Sequence, residues 1–240
     1  MPLKLSCRVE RIVNHGEHVY SVDLRPERPA PRFRAGQFLH LALDPYDPTA
    51  FWPESRAFSI ASSPTERQLL RILYSVRGRF TARMEAELAE GCHVWIRMPY
   101  GDFVIDDRHD VVLLAGGTGM SAFTAFLEQL PPDFGHTVVL AYGARSERLL
   151  IYRDIVESCT ARVERLRPYY FIEERPVTDE ADHKASFAGR VSVDVMWPIV
   201  SRLQDTAYYI SGPPMMLKKI AGDLRDRGVD LKAIHIDAWE

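Results

Sequence analysis

The sequence predicts two joined domains: an N-terminal antiparallel six-stranded β-barrel over residues 1–107 and a C-terminal α/β doubly wound parallel sheet over 108–240. Three observations predict this. The first hundred residues read as short alternating strands parted by turn residues, as in a barrel or sandwich. Beyond residue 108 the pattern changes to continuous apolar runs alternating with helical stretches, which means a parallel sheet covered on both faces. Apolar residues make up 46% of the 240, enough to bury two cores.

The elements follow in order. Residues 4–13 and 19–24 alternate as a strand pair joined by Asn14-His-Gly16. Further strands are read at 38–43, 57–61, 69–76 and 94–98, the last alternating apolar residues with Trp95 and Arg97. One helical patch, 81–88, places Met84 and Leu88 four apart. A charged connector, 106–110, precedes the apolar run Val111-Val-Leu-Leu-Ala115. A helix over 119–130 stops at Pro131-Pro132, followed by strand 138–141, helix 149–159 and strand 169–172. The polar stretches 176–184 and 185–189 read as surface loop. Partial helix at 191–203, strand 207–210, helix 214–227 closed by Gly228 and strand 233–236 complete the chain.

Composition narrows the function classes. Charged residues are 26% with a formal net charge of -3, which gives no electrostatic footprint for nucleic acid. No apolar run reaches the length that spans a bilayer, and residues 1–7 lack the apolar core of a signal peptide, so a cytoplasmic location is the default expectation. Cys7, Cys92 and Cys159 are far apart, which argues against a disulfide framework and against an iron–sulfur cluster. The eight histidines, His15, His18, His93 and His235 among them, show no metal spacing, and no metal site is expected.

Five segments carry chemistry. Arg56-Ala-Phe-Ser59 places a fixed cation, an aromatic plane and a small hydroxyl on one strand, where Arg56 and Phe58 share a face and Ser59 turns to the other. A flavin asks for those groups: charge for its phosphate, a ring for its isoalloxazine and a hydrogen-bond partner for N5. An ordinary strand with a surface arginine and a core phenylalanine reads the same way. Arg77-Gly-Arg-Phe-Thr81 follows a strand and opens a helix, with Thr81 expected at the N-cap and free amides facing outward, an anion site flanked by Arg77 and Arg79. Gly116-Gly-Thr-Gly119 lies after a buried strand and before a helix, the context in which a glycine loop approaches a dinucleotide phosphate. Gly143-Ala-Arg145 and Ser211-Gly-Pro-Pro214 also end strands of the parallel sheet, where ligands bind.

Taken in order, the motifs resemble the ferredoxin–NADP reductase superfamily, most closely its flavin-reductase and oxygenase-reductase branches. They run from Leu5-Ser-Cys-Arg-Val9, Phe33-Arg-Ala-Gly-Gln-Phe38, Arg56-Ala-Phe-Ser59 and Gly101-Asp-Phe103 to Ala115-Gly-Gly-Thr-Gly119. Tyr142-Gly-Ala-Arg145, Ile210-Ser-Gly-Pro-Pro-Met-Met216 and Asp237-Ala-Trp239 complete the series, which covers essentially the whole chain. The resemblance implies hydride transfer from NAD(P)H to FAD and onward electron delivery. It implies FAD contacts from Arg56, Ala57, Phe58, Ser59, Ile72, Tyr74, Arg77, Gly78, Arg79, Phe80 and Thr81. Nicotinamide dinucleotide contacts are implied for Gly116, Gly117, Thr118, Gly119, Gly143, Arg145, Glu173, Gly212, Pro213 and Met216, with Trp239 beside the isoalloxazine. Ser59, Ser211 and Asp237 stand in the catalytic positions. The family usually has tyrosine at Phe58, whose lost hydroxyl removes a hydrogen bond of ~1 kcal/mol, and cysteine at Ser211.

Cofactor choice and outlet stay open in the sequence. In Phe171-Ile-Glu-Glu-Arg175, the two glutamates would repel a 2′-phosphate and accept from a ribose hydroxyl, which favours NADH; Arg145 and Arg175 keep NADPH open. The electron acceptor is expected to be a separate ferredoxin, flavodoxin or oxygenase component. Arg25, Arg28, Arg32 and Arg34 form a basic patch that suits an acidic carrier, although a plain solvated face is the more ordinary reading of such a run. Free flavin as substrate is the alternative outlet, and a non-catalytic nucleotide-binding regulatory module is the alternative of another class.

Overall fold

The first hairpin turns without glycine or asparagine at its tip. Glu17 and His18 take φ of 50° and 57°, the two left-handed conformations that a two-residue type I′ turn requires. Strand β1 (Leu3–Gly16) therefore runs through the Asn14-His-Gly16 segment that the sequence assigns to the turn, and β2 (Val19–Pro26) starts directly after it. In this computed structural model, which describes residues 2–174, 186–203 and 205–238, the chain divides into two compact units. One comprises Met1–Val104 with Thr124–Gln129, the other Ile105–Phe123 with Leu130–Glu240.

The first unit is an antiparallel sheet in the order β4-β3-β6-β1-β2-β5, where β3 is Phe38–Ala42, β4 Ser55–Ser59, β5 Leu70–Ser75 and β6 His93–Tyr100. Alternation fills its interior: Leu5 and Cys7 of β1 lie opposite Ile96 and Val94 of β6, and Val9 and Met98 join them in the core, all at most 1% exposed. The outer strands are drawn together past β4, where Ala61 N donates to Arg71 O at 2.8 Å and Arg71 N donates to Ser62 Oγ at 3.1 Å. The result is a nearly closed six-stranded barrel, which removes most of the unpaired edge. Helix α1 (Arg79–Glu87) plugs it with Phe80 and Met84, the two positions of its apolar stripe.

The second unit is a parallel sheet in the order β10-β9-β8-β7-β11-β12. Its strands are β7 (Asp110–Gly116), β8 (Val138–Ala144), β9 (Leu166–Ile172), β10 (Ser186–Ala188), β11 (Thr206–Ser211) and β12 (Ile234–Ile236). Helices α2 (Ser121–Gln129), α3 (Arg153–Arg162), α4 (Val193–Val200) and α5 (Pro214–Asp226) connect them. Strand β7 is buried from Val111 to Gly116, as its unbroken apolar run requires. One sequence expectation is corrected here. Residues 186–188, read as loop from their polar surroundings, pair in parallel with Tyr170–Ile172 of β9, because an open sheet edge accepts any segment that presents its amides. The loop expected at 176–184, and Arg175, lie outside the described residues. Among the described residues no helix is long and apolar enough to cross a membrane.

Candidate functional site

Each unit holds one cradle, and the barrel's is made of side chains. Arg56 and Phe58 sit two apart on β4 and share its face. Phe58 turns into the barrel core, 8% exposed, and meets Tyr74 edge-on at 6.2 Å. Arg56 stays at the rim with its guanidinium 5.2 Å above the ring of Phe80, while Nη1 donates to Ser55 O at 2.8 Å. Ala57 is half-buried, and Ser59 closes the strand, buried and paired in register with Phe38. Ile72 and Tyr74 point into the core, so a ligand would meet the main chain of β5 there rather than those side chains.

The loop before α1 differs from the sequence expectation in one respect. The N-cap is Gly78, not Thr81. Thr81 stands at N3 and folds its hydroxyl back: Oγ1 accepts from Arg77 N at 2.9 Å and Gly78 N at 3.1 Å and donates to Gly78 O at 3.1 Å. A threonine three residues into a helix reaches the preceding amides as a capping box does, so those two amides are already occupied. The next three, Arg79 to Thr81, belong to the helix's first turn, whose amides find no intrahelical acceptor. A carbon added to Gly78 would meet nothing within 4 Å, so the loop is open to close approach. Phe80 is core; Arg77 is exposed and its Nε donates to Ser75 Oγ at 3.2 Å.

Sequence reasoning missed the residue that joins this cradle. The Glu54 carboxylate lies 3.0 Å from Arg56 Nη2, and its two oxygens lie 3.4 and 3.5 Å from Arg79 Nη2. Desolvation pushes the Glu54 carboxyl up, but Arg79 and Arg56 together hold it below the usual carboxylate range. An anion that bridges two guanidinium groups makes the contacts a phosphate would make, so Glu54 is a native stand-in and the seat fits one. Its signal was available in the sequence: Glu54 precedes Arg56 by two, the spacing that puts both on one side of an extended chain.

The sheet's cradle is made of backbone. Strand β7 lies beside β11, with Ala115 opposite Ser211. From β7 the chain winds outward to β8, β9 and β10, then returns to β11 on the other side, so the loops after β7 and β11 flank a topological switch point. These loops interlock through missing side chains. A carbon added to Gly119 would lie 2.3 Å from Ser211 O, and one on Gly116 would lie 2.4 Å from Met216 Sδ and 3.0 Å from Pro213 Cδ. A carbon added to Gly212 would lie 3.1 Å from Gly116 N and Cα, a tight contact but a less severe one. Gly117 differs: its φ is +53° and an added carbon meets nothing within 4 Å, so one side of the turn is open beside Thr118. Gly143 at the end of β8 packs under Val191.

At the floor, Ser211 Oγ donates to Asp237 Oδ2 at 2.7 Å, both residues at most 3% exposed, and Asp237 N donates to Ile210 O at 2.9 Å. The Ser211 hydrogen is thereby committed, which leaves its oxygen as an acceptor. At the end of β9, Glu173 accepts from Arg190 Nε at 2.9 Å, a partner the sequence reading did not include. Arg145 is exposed on the loop after β8. Trp239 lies outside the described residues. Of the basic patch, Arg25 is paired with Glu10 at 2.7 Å, whereas Arg28, Arg32 and Arg34 are exposed.

Residues 113–222 match the family model described as the oxidoreductase NAD-binding domain. The phenol hydroxylase P5 protein of Acinetobacter pittii is 27% identical over 226 residues, covering 92% of this chain and 61% of that protein. The chain spans 54 to 63% of the length of the first curated relatives it matches. Among solved structures, the Amycolatopsis cytochrome P450 reductase GcoB aligns with a TM-score of 0.82 at 21% identity, over 98% of this chain and 69% of that one. The FAD/NAD-binding domain of Vibrio cholerae nitric oxide dioxygenase aligns at 0.81 and 19% identity over 98% of both chains. The match to the oxidoreductase NAD-binding domain model thus covers the parallel-sheet unit over residues 113–222, and the whole chain has the two-unit ferredoxin reductase-like fold of barrel and parallel sheet.

Proposed function

We propose that this protein is a flavoprotein oxidoreductase that uses NADH to reduce FAD and passes the electrons to a separate acceptor such as a ferredoxin, flavodoxin or oxygenase component. Residues 1–107 would hold the flavin and 108–240 the nicotinamide. The observation that carries the reading is the pair of phosphate-competent seats on one chain: two arginines already bridged by a carboxylate on the barrel, and an open glycine turn at the switch point of an NAD-binding domain. Likeness to a phenol hydroxylase component and to a P450 reductase supports the direction of electron flow.

When bound, the nicotinamide supplies the hydride and the flavin takes it up, so the protein's part is holding and orienting. Arg56 and Arg79 neutralise the flavin phosphate, and Gly78 admits it close to the main chain. Phe58 offers the edge of its ring, with Ser59 donating toward N5. The turn at Gly117 and Thr118 cradles the dinucleotide phosphates, with Arg145 beside them. Gly212, Pro213 and Met216 shape the nicotinamide pocket. Asp237 fixes the Ser211 rotor so that its oxygen accepts from the carboxamide. Glu173 accepts from a ribose hydroxyl and its charge opposes a 2′-phosphate, which favours NADH. Trp239 is placed beside the flavin ring by motif alone. Arg28, Arg32 and Arg34 offer an acidic acceptor a basic surface.

A second reading, in which flavin is an exchangeable substrate, is favoured by Phe58, which lacks a hydroxyl and lies in the core. Titration of the protein with FAD, followed by flavin fluorescence, tests the flavin seat. Arg56→Ala is expected to weaken binding about tenfold, the loss of one charge-assisted contact. Unchanged affinity removes Arg56 from the site.

A further inference from the structure

We propose that Glu54 sets the affinity of the barrel for phosphorylated flavins by occupying the phosphate seat itself until a flavin displaces it. The inference rests on the reading that Arg56 and Arg79 receive a flavin phosphate, and it names what that phosphate must compete with. Three placements carry it. Glu54 touches both arginines, at 3.0 Å on Arg56 and at 3.4 and 3.5 Å on Arg79. Arg56 is held from behind, by Ser55 O at 2.8 Å and by the Phe80 ring, so its remaining edge faces the carboxylate. Arg79 has a side chain 82% exposed, and its ion pair among the described residues is with Glu54. It has no second anchor there and is free to follow whichever anion takes the seat.

The neighbouring acids are engaged elsewhere: Asp44 and Glu87 both pair with Arg83. Glu54 is therefore the carboxylate that answers this arginine pair. A flavin phosphate arriving here exchanges one anion for another instead of neutralising two bare cations. Once displaced, Glu54 remains within a few residues of the phosphate as a like charge. Both effects lower the affinity for FAD and FMN, whereas riboflavin, which has no phosphate, is indifferent to them. The consequence for function is a flavin held about three- to fivefold less tightly than the arginine pair alone would hold it.

The test is a fluorescence titration of the wild-type protein, Glu54→Gln and Glu54→Ala with FAD, FMN and riboflavin. Both variants are expected to bind FAD and FMN about three- to fivefold more tightly, the scale of one exposed carboxylate–guanidinium contact, with riboflavin unchanged. The gain is expected to vanish when Arg56→Ala is added. Unchanged or weaker FAD binding in both variants overturns the proposal and leaves the flavin seat standing, as does an equal gain for riboflavin. Failure of all three proteins to bind any flavin overturns the flavin reading itself, and this proposal with it.

Discussion

The two cradles are built from opposite materials. On the barrel, the seat is assembled from charged side chains at an exposed rim: Arg56, Arg79 and Glu54 meet at 3.0 to 3.5 Å, and nothing steric holds Arg79 in place. On the sheet, the seat is assembled from main chain: Gly116 and Gly119 are pressed against Pro213, Met216 and Ser211 so closely that no side chain fits. A cradle of side chains is adjustable, and its strength depends on salt and on competing charge. A cradle of backbone is fixed by the packing of the whole domain and fails with it. One chain thus carries a tunable cluster of charges and a rigid glycine turn.

Substitutions at the rigid seat are expected to cost the most. Gly119→Ala drives a carbon into the Ser211 carbonyl, which neither loop can yield, and should destabilise the second unit by about 3 kcal/mol in denaturant unfolding. Gly117→Ala, two residues earlier, meets open space and should cost only the left-handed backbone penalty of about 1 kcal/mol. Equal losses at the two positions would break the distinction between packed and open glycines in this turn. Ser211→Ala removes a buried donor from Asp237 and should cost about 2 kcal/mol; a loss below a few tenths would mean that the pair does not hold the loop. Smallest of all is the effect of Arg56→Ala on stability, expected within about 0.5 kcal/mol because the side chain is at the surface. Its effect on flavin binding is the large one, and thermal melting beside the FAD titration separates the two.

What was legible in the sequence follows the same divide. Barrel strands and parallel strands were readable because burial on one face or two writes a period of two or an unbroken apolar run. Strand β10 was not, since its three residues are held by β9's free edge rather than by any pattern of their own. The glycine turn was readable in position, but the sequence could not say that Gly116 and Gly119 serve packing while Gly117 stays open, because that depends on Ser211 and Met216 almost a hundred residues away. Thr81 was expected to cap α1 directly; at N3 it does so backwards, and only the capping geometry distinguishes the two. Glu54 was not legible as the bridge because its pairing with Arg79 joins positions 25 residues apart, which no local pattern records. Arg190 escaped because its partnership with Glu173 crosses a stretch with no periodic signal.

The central claim is that one chain holds a flavin and a nicotinamide so that electrons pass between them. The most direct measurement is anaerobic mixing of the FAD-loaded protein with NADH and, separately, NADPH, followed by the visible absorbance of the flavin. The account predicts that NADH bleaches the flavin within one turnover and that NADPH does so more slowly at equal concentration. A protein that binds FAD yet stays yellow with either nucleotide would contradict it, and would leave a nucleotide-binding module in place of a reductase.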